Sequence, residues 1–143
     1  MTRKPYRDPA LLGLVFLGGA LGTGARELLN TALGNYDGIP VTIFAINIVG
    51  AFILGVLLAF LGTLGDDTGR RRSLRFFFGT GVLGGFTTYS ALAYDTAWLF
   101  ELGRPVWAFA YGIGSVIVGL AAAFAGVALG GWLGRKNIGV EQS

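Results

Sequence analysis

Residues 41–64 pass without a single charged side chain. A run of that length is about what an α-helix needs to cross a hydrocarbon core roughly 30 Å thick. Three more apolar runs accompany it. The first extends from Ala10 to Ala25, where Arg26 and Glu27 interrupt it before Leu28 and Leu29. Another extends from Phe76 to Phe100 with Asp95 as its one acid, and the last covers 106–133 uncharged. Only 13% of the chain is charged, against roughly 25% in soluble domains, so the solvent that suits it is a bilayer. The pattern predicts an all-α membrane protein of one domain, residues 1–143, with four transmembrane helices over about 10–30, 40–64, 74–100 and 105–134.

The same composition excludes several chemistries. With no Cys and no His there is no disulfide framework and no thiolate metal site, and the commonest general base is missing; no enzyme is expected. The net charge of +3 does not point to nucleic acid, because the Lys and Arg residues sit almost entirely between apolar runs, where they read as membrane-flanking charge. Arg3, Lys4 and Arg7 ahead of an apolar stretch also fit a signal peptide, but three further spans make cleavage unnecessary. Short connections between spans imply antiparallel neighbours.

Orientation follows from the count of Lys and Arg on the two sides. With four crossings, both termini and the loop between spans two and three share one side. That side holds Arg3, Lys4, Arg7, Arg70, Arg71, Arg72, Arg75, Arg135 and Lys136, nine in all, against Arg104 and Arg26 elsewhere. Both termini are therefore expected in the cytoplasm.

Lipid cannot satisfy polar side chains or non-helical backbone, so these are the informative residues inside spans. Asn47 lies between Ile46 and Ile48; the plain reading is an interhelical hydrogen bond. Gly50 and Gly55 on the same helix offer a flat surface for close packing. The strongest anomaly is GTGVLGGFTTYS at 79–90. Gly costs about 1 kcal/mol in a helix interior. Packing accounts for Gly79 and Gly81, whereas the Gly84-Gly85 doublet before Thr87-Thr88 reads as a broken helix at mid-membrane, since Gly permits positive φ and Thr can bond to backbone. Such a break frees carbonyls of the kind that hold hard cations. In span four Tyr111, Ser115 and Gly119 share one helical face; a line of hydrogen-bond donors and a packing seam both fit.

These residues resemble one family closely. GGALGTGAREL in the first span, IPVTIFAINIVGAFILG in the second, GVLGGFTTYSALAYD in the third and the Tyr-x3-Ser of the fourth look like the Fluc (CrcB) fluoride channels, in order and over nearly the whole chain. The resemblance implies a dimer of two subunits inserted antiparallel, of the dual-topology type, with anion pores at its interface in a cell membrane and a central sodium ion that is structural and not transported. It implies that Asn47, Tyr89, Leu92, Thr88, Ser90, Tyr111 and Ser115 line the fluoride pathway. It also implies that Gly84 and Thr87 hold sodium through backbone carbonyls, and that Arg26 and Asp95 are structural. Two departures stand out. The family's paired pore phenylalanines fall on Tyr89 and Leu92, of which only Tyr keeps a ring edge for an anion, and the third hydroxyl of the fourth span is Gly119.

The mechanism implied is passive: amide and hydroxyl donors and ring edges replace the water around fluoride. Two other classes fit parts of the pattern. A small proton-coupled exporter needs a titratable carboxylate in the first span, where the acid present, Glu27, lies at the end beside Arg26. A noncatalytic membrane assembly subunit would explain the Gly-rich faces but not the break. Finally, the charge bias of nine to two opposes insertion in both orientations, so an oppositely oriented homologous subunit is the expected partner. The competing arrangement is a homodimer that uses a minority of inverted chains.

Overall fold

The computed structural model describes residues 8–141, with side chains described to Lys136; Arg3, Lys4 and Arg7, part of the charge count above, lie outside them. Helix α1 (Pro9–Leu33) opens with Asp8 as its cap, Oδ1 accepting from the Ala10 N–H at 3.1 Å, and with Pro9 at the first position, where its missing N–H costs nothing. It ends at Gly34, φ +62. Helix α2 (Val41–Thr63) follows a turn in which the Thr42 hydroxyl donates to the Gly34 carbonyl at 2.6 Å and Arg104 Nη1 donates to the Asp37 carbonyl at 2.9 Å. The third run is divided. It begins as α3 (Gly69–Leu74), widens into a π-helical segment (Arg75–Leu83), returns briefly to α4 (Gly84–Phe86), and resumes as α5 (Tyr89–Glu101). Helix α6 (Pro105–Glu141) closes the fold. Among the described residues there is no strand; the one β feature is an isolated bridge between Tyr36 and Ile39.

Three helices are long and apolar enough to cross a membrane: α1, α2 and α6 over Pro105–Lys136. The third run is interrupted, so none of its pieces has that length alone. Large apolar side chains face outward along all of them, Phe16 at 75% and Phe124 at 67% exposure among them. Patches on that scale are foreign to a water-soluble monomer and mark a membrane protein.

Close approach of backbones decides which helices pair. The most extensive pairing is between α2 and α6, where Gly55 meets the Ala123 carbonyl and Gly126 and Gly130 meet the backbone of Phe52 and Val56. A methyl group at any of these positions would collide with main chain. Helix α1 scarcely touches its sequence neighbour α2 and packs instead on the π segment and α4, so closely that a Cβ on Gly18 would collide with the Phe77 carbonyl and one on Gly22 with the Val82 carbonyl and the Phe86 amide. The expectation that a short loop makes α1 and α2 close neighbours is therefore corrected: the smooth faces of α1 lie toward the third run. Helix α5 packs on α6, so the two halves of the third run serve different partners.

Candidate functional site

The interruption itself is an extended step of two residues, Thr87 (φ −80°, ψ 154°) and Thr88 (φ −150°, ψ 126°). In an unbroken helix the Thr88 N–H would bond to the Gly84 carbonyl and the Ala91 N–H to the Thr87 carbonyl. Here Thr88 N–H donates to Asn47 Oδ1 at 2.8 Å, and Ala91 N–H to Thr88 Oγ1 at 3.2 Å. Two side chains have thus taken the donors that Gly84 and Thr87 would have used. Asn47 Nδ2 also donates to the Thr88 carbonyl at 2.9 Å, so one planar amide satisfies both backbone groups of Thr88. The next carbonyl, that of Gly85, accepts from Arg26 Nη1 at 3.2 Å and Thr23 Oγ1 at 3.4 Å.

Positive φ plays no part. Gly84 is right-handed helical (φ −65°, ψ −35°), and the left-handed glycines are Gly34, Gly38, Gly65, Gly69 and Gly103. The doublet serves proximity instead: a Cβ on Gly85 would meet the Gly19 backbone, and Gly50 of α2 leaves room for the Thr87 methyl and the Phe86 ring. The break is held open by side-chain substitution for helical hydrogen bonds, and the glycines let neighbouring spans come near enough to supply them.

A polar cleft of about 570 Å³ lies beside the break, lined by Arg26, Glu27, Asn30, Thr88, Ser90 and Asp95 among others. Arg26 is mostly buried, and its Nε lies 3.2 Å from Glu27 Oε1. The hydroxyls of Thr88 and Ser90 are 3.1 Å apart. Asp95 accepts from the Tyr111 hydroxyl at 3.2 Å, which ties α6 to the cleft. One turn further along α6, Ser115 Oγ donates to the Tyr111 carbonyl at 2.5 Å. Tyr111 and Ser115 are both buried and share a face with Ala108, a packed stripe whose two hydroxyls donate to protein oxygens.

Tyr89 and Leu92 line a separate, apolar groove of about 420 Å³ with Thr96, Phe100 and Val116. Their surroundings differ. Tyr89 is 80% exposed, whereas Leu92, at 9%, packs with Leu99, Ala108 and Tyr111. Two participants escaped the sequence reading. Thr23 shares the Gly85 carbonyl with Arg26, and the Phe44 ring lies 6.5 Å from that of Tyr111 at a tilt of 46°. Both had a usable signal: Thr23 precedes Arg26 by three and Phe44 precedes Asn47 by three, each pair on one helical face. Among the described residues no group of three or more His, Cys, Asp or Glu side chains could hold a metal.

A membrane protein, all-helical among the described residues, with an apolar run opened at an extended Thr-Thr step and held open by an asparagine and an arginine from other helices, is the class these observations define. The chain belongs to the CrcB family: the family described as "CrcB-like protein, Camphor Resistance (CrcB)" matches residues 13–127. It is 51% identical over 124 residues to "Fluoride-specific ion channel FluC 2" of Leifsonia xyli subsp. xyli, covering 87% of this chain and 86% of that one. It is 46% identical over 123 residues to "Fluoride-specific ion channel FluC 1" of Cutibacterium acnes, covering 85% and 86%. With "Fluoride-specific ion channel FluC" of Rhodopseudomonas palustris the identity is 41% over 118 residues, 81% of this chain and 93% of the relative.

Proposed function

We propose that this chain is a passive fluoride-selective ion channel of the cell membrane, carrying fluoride out of the cytoplasm and so relieving its toxicity. The observation that carries this reading is the clamped break, together with relatives named as fluoride-specific channels across most of the chain. A small, strongly hydrated anion enters a narrow path only if donors replace its water. Asn47 keeps one amide hydrogen beyond the bond to Thr88, Thr88 and Ser90 offer a free hydroxyl donor at the cleft, and Tyr111 and Ser115, whose hydroxyls donate to Asp95 and to the Tyr111 carbonyl, turn those donors to the anion as it passes along α6. Tyr89 presents a ring whose positive edge suits an anion; Leu92 completes the wall of that groove. Nothing in this path changes redox or covalent state, and the chain is not an enzyme.

In this reading 1–143 is a single four-span domain, the third run crossing the membrane as two half-helices around the break. Two such subunits lie antiparallel, and the apolar groove that Tyr89 borders is covered by the second. Gly84 and Thr87, whose helical donors are taken by Asn47 and by the Thr88 hydroxyl, hold a structural sodium ion through their carbonyls. Carbonyl oxygen suits a hard cation, and sodium held there would supply positive charge at the break. Arg26 and Asp95 are structural, fixing Gly85 and Tyr111. Lys and Arg at the α3 end support an orientation with both termini in the cytoplasm.

The test is fluoride efflux from liposomes bearing the protein purified in its complete assembly, co-expressed with an oppositely oriented homologous subunit, with sodium on both sides. Fluoride release well above that of empty vesicles, without matching chloride release and without a proton gradient, is the expected result. Fluoride flux no greater than in empty vesicles, with the assembly intact, overturns the function; flux that requires a proton gradient assigns the chain to coupled exporters.

A further inference from the structure

The arginine-rich connection after α2 carries chemistry that anion conduction does not use. A groove of about 320 Å³ lies there, bounded by Leu58 and Leu61 of α2, by Asp67, and by Arg71 and Arg75. Arg75 is paired with Asp67. Arg70, Arg71 and Arg72 have no carboxylate partner among the described residues. Gly65 borders the groove in the left-handed region, φ +106, and Arg71 Nη1 stands 3.0 Å from where a Cβ at Gly65 would lie. Glycine there both permits the turn and leaves space for the guanidinium.

The depth of this groove in the bilayer can be read from α6. Gly134 packs against Thr63, the last residue of α2, so this end of α6 lies level with the groove. Trp132 is half exposed there, with Lys136 Nζ 5.4 Å from its ring centroid. Tryptophan and lysine together at a span's end mark the headgroup level. The groove therefore has guanidinium groups at headgroup depth and leucines continuing toward hydrocarbon. Guanidinium pairs with phosphate through two parallel hydrogen bonds, and basic clusters next to a span attract anionic lipid.

We propose that this groove binds an anionic phospholipid of the surrounding bilayer, with the phosphate on Arg71 and an acyl chain along Leu58 and Leu61. A zwitterionic lipid is the poorer occupant, because its headgroup brings a cation into the arginine cluster. The inference does not depend on the fluoride reading; it needs only that the chain is a membrane protein.

Native mass spectrometry of the full-length protein released from vesicles of equal phosphatidylglycerol and phosphatidylcholine tests it. The expected result is preferential retention of phosphatidylglycerol, reduced about fivefold by Arg71→Gln and far less by Arg104→Gln, which removes the same charge at the other end. Asp67→Asn, which releases Arg75 from its partner, raises retention, an effect that misfolding would not produce. Equal retention of the two lipids, equal losses in Arg71→Gln and Arg104→Gln, or unchanged or lower retention in Asp67→Asn overturns the proposal. Displacement of the lipid by inorganic phosphate also overturns it, assigning the groove to free phosphate.

Discussion

Asn47 makes two hydrogen bonds to one residue, and only a planar group with both a donor and an acceptor can make them. Replacement by Asp keeps the acceptor for Thr88 N–H but sets a carboxylate oxygen against the Thr88 carbonyl. Asn47→Asp is therefore expected to lower stability by about 1–3 kcal/mol and fluoride flux by about tenfold or more, measured by thermal unfolding in detergent and by liposome efflux. Equal flux in the variant and the wild type would detach the clamp from permeation. Tyr89 and Leu92 call for opposite expectations. Tyr89 is exposed and touches the proposed path, so Tyr89→Ile should abolish flux with little change in stability. Leu92 is packed among Leu99, Ala108 and Tyr111; Leu92→Phe should lower stability by about 1–3 kcal/mol through overpacking while preserving or raising flux per assembled channel. Unchanged flux in Tyr89→Ile would remove the ring edge from the path.

The third run is the element in which local sequence and long-range contact conflict most. Thr88 caps α5 with its own hydroxyl, so Thr88→Ala should cost about 0.5–2 kcal/mol and Thr88→Ser should recover most of it, as read by unfolding midpoints. The proposed backbone ligation of sodium carries a further expectation: Thr87→Ser should be mild and bulky substitutions at Gly84 severe. Assembly and flux that survive complete sodium removal would refute the ligation. Much of this element was legible in the sequence. Glycines before Thr-Thr in an apolar run announce a break, and its position emerged within a few residues. Its cause did not, because the sequence suggested left-handed glycine where the structure has helical Gly84 and extended Thr87 and Thr88. What holds those threonines extended arrives from Asn47, 41 residues away from Thr88, and from Arg26, 59 residues away from Gly85. No local pattern encodes such a pairing. The π segment over Arg75–Leu83 was equally invisible: it departs from α-helix by one residue in the hydrogen-bond ladder, and no residue type demands that.

At the scale of the molecule the distribution of charge sets the problem of assembly. Arg70, Arg71, Arg72 and Arg75 lie at the end where Thr63 meets Gly134, and Arg135 and Lys136 follow at that same end. Arg104 lies at the other, bonded to Asp37, and Arg26 is drawn inward to Gly85. Basic residues hold their side of the membrane during insertion, so a chain this asymmetric should insert with its arginine-rich end inside. The antiparallel pair proposed above cannot be built from subunits that all face one way, so in that proposal the apolar groove beside Tyr89 is covered by a homologous subunit of opposite orientation. A salt bridge between Arg75 and Asp67 offsets one charge of the cluster, too little to balance the two ends. Expressed alone, this chain should therefore show a C-terminal tag on the cytoplasmic side only and conduct little fluoride, and co-expression with an oppositely biased homologue should restore flux. Tag signal on both sides of the membrane, with flux from the chain alone, would replace the heterodimer with a homodimer assembled from both orientations of one sequence.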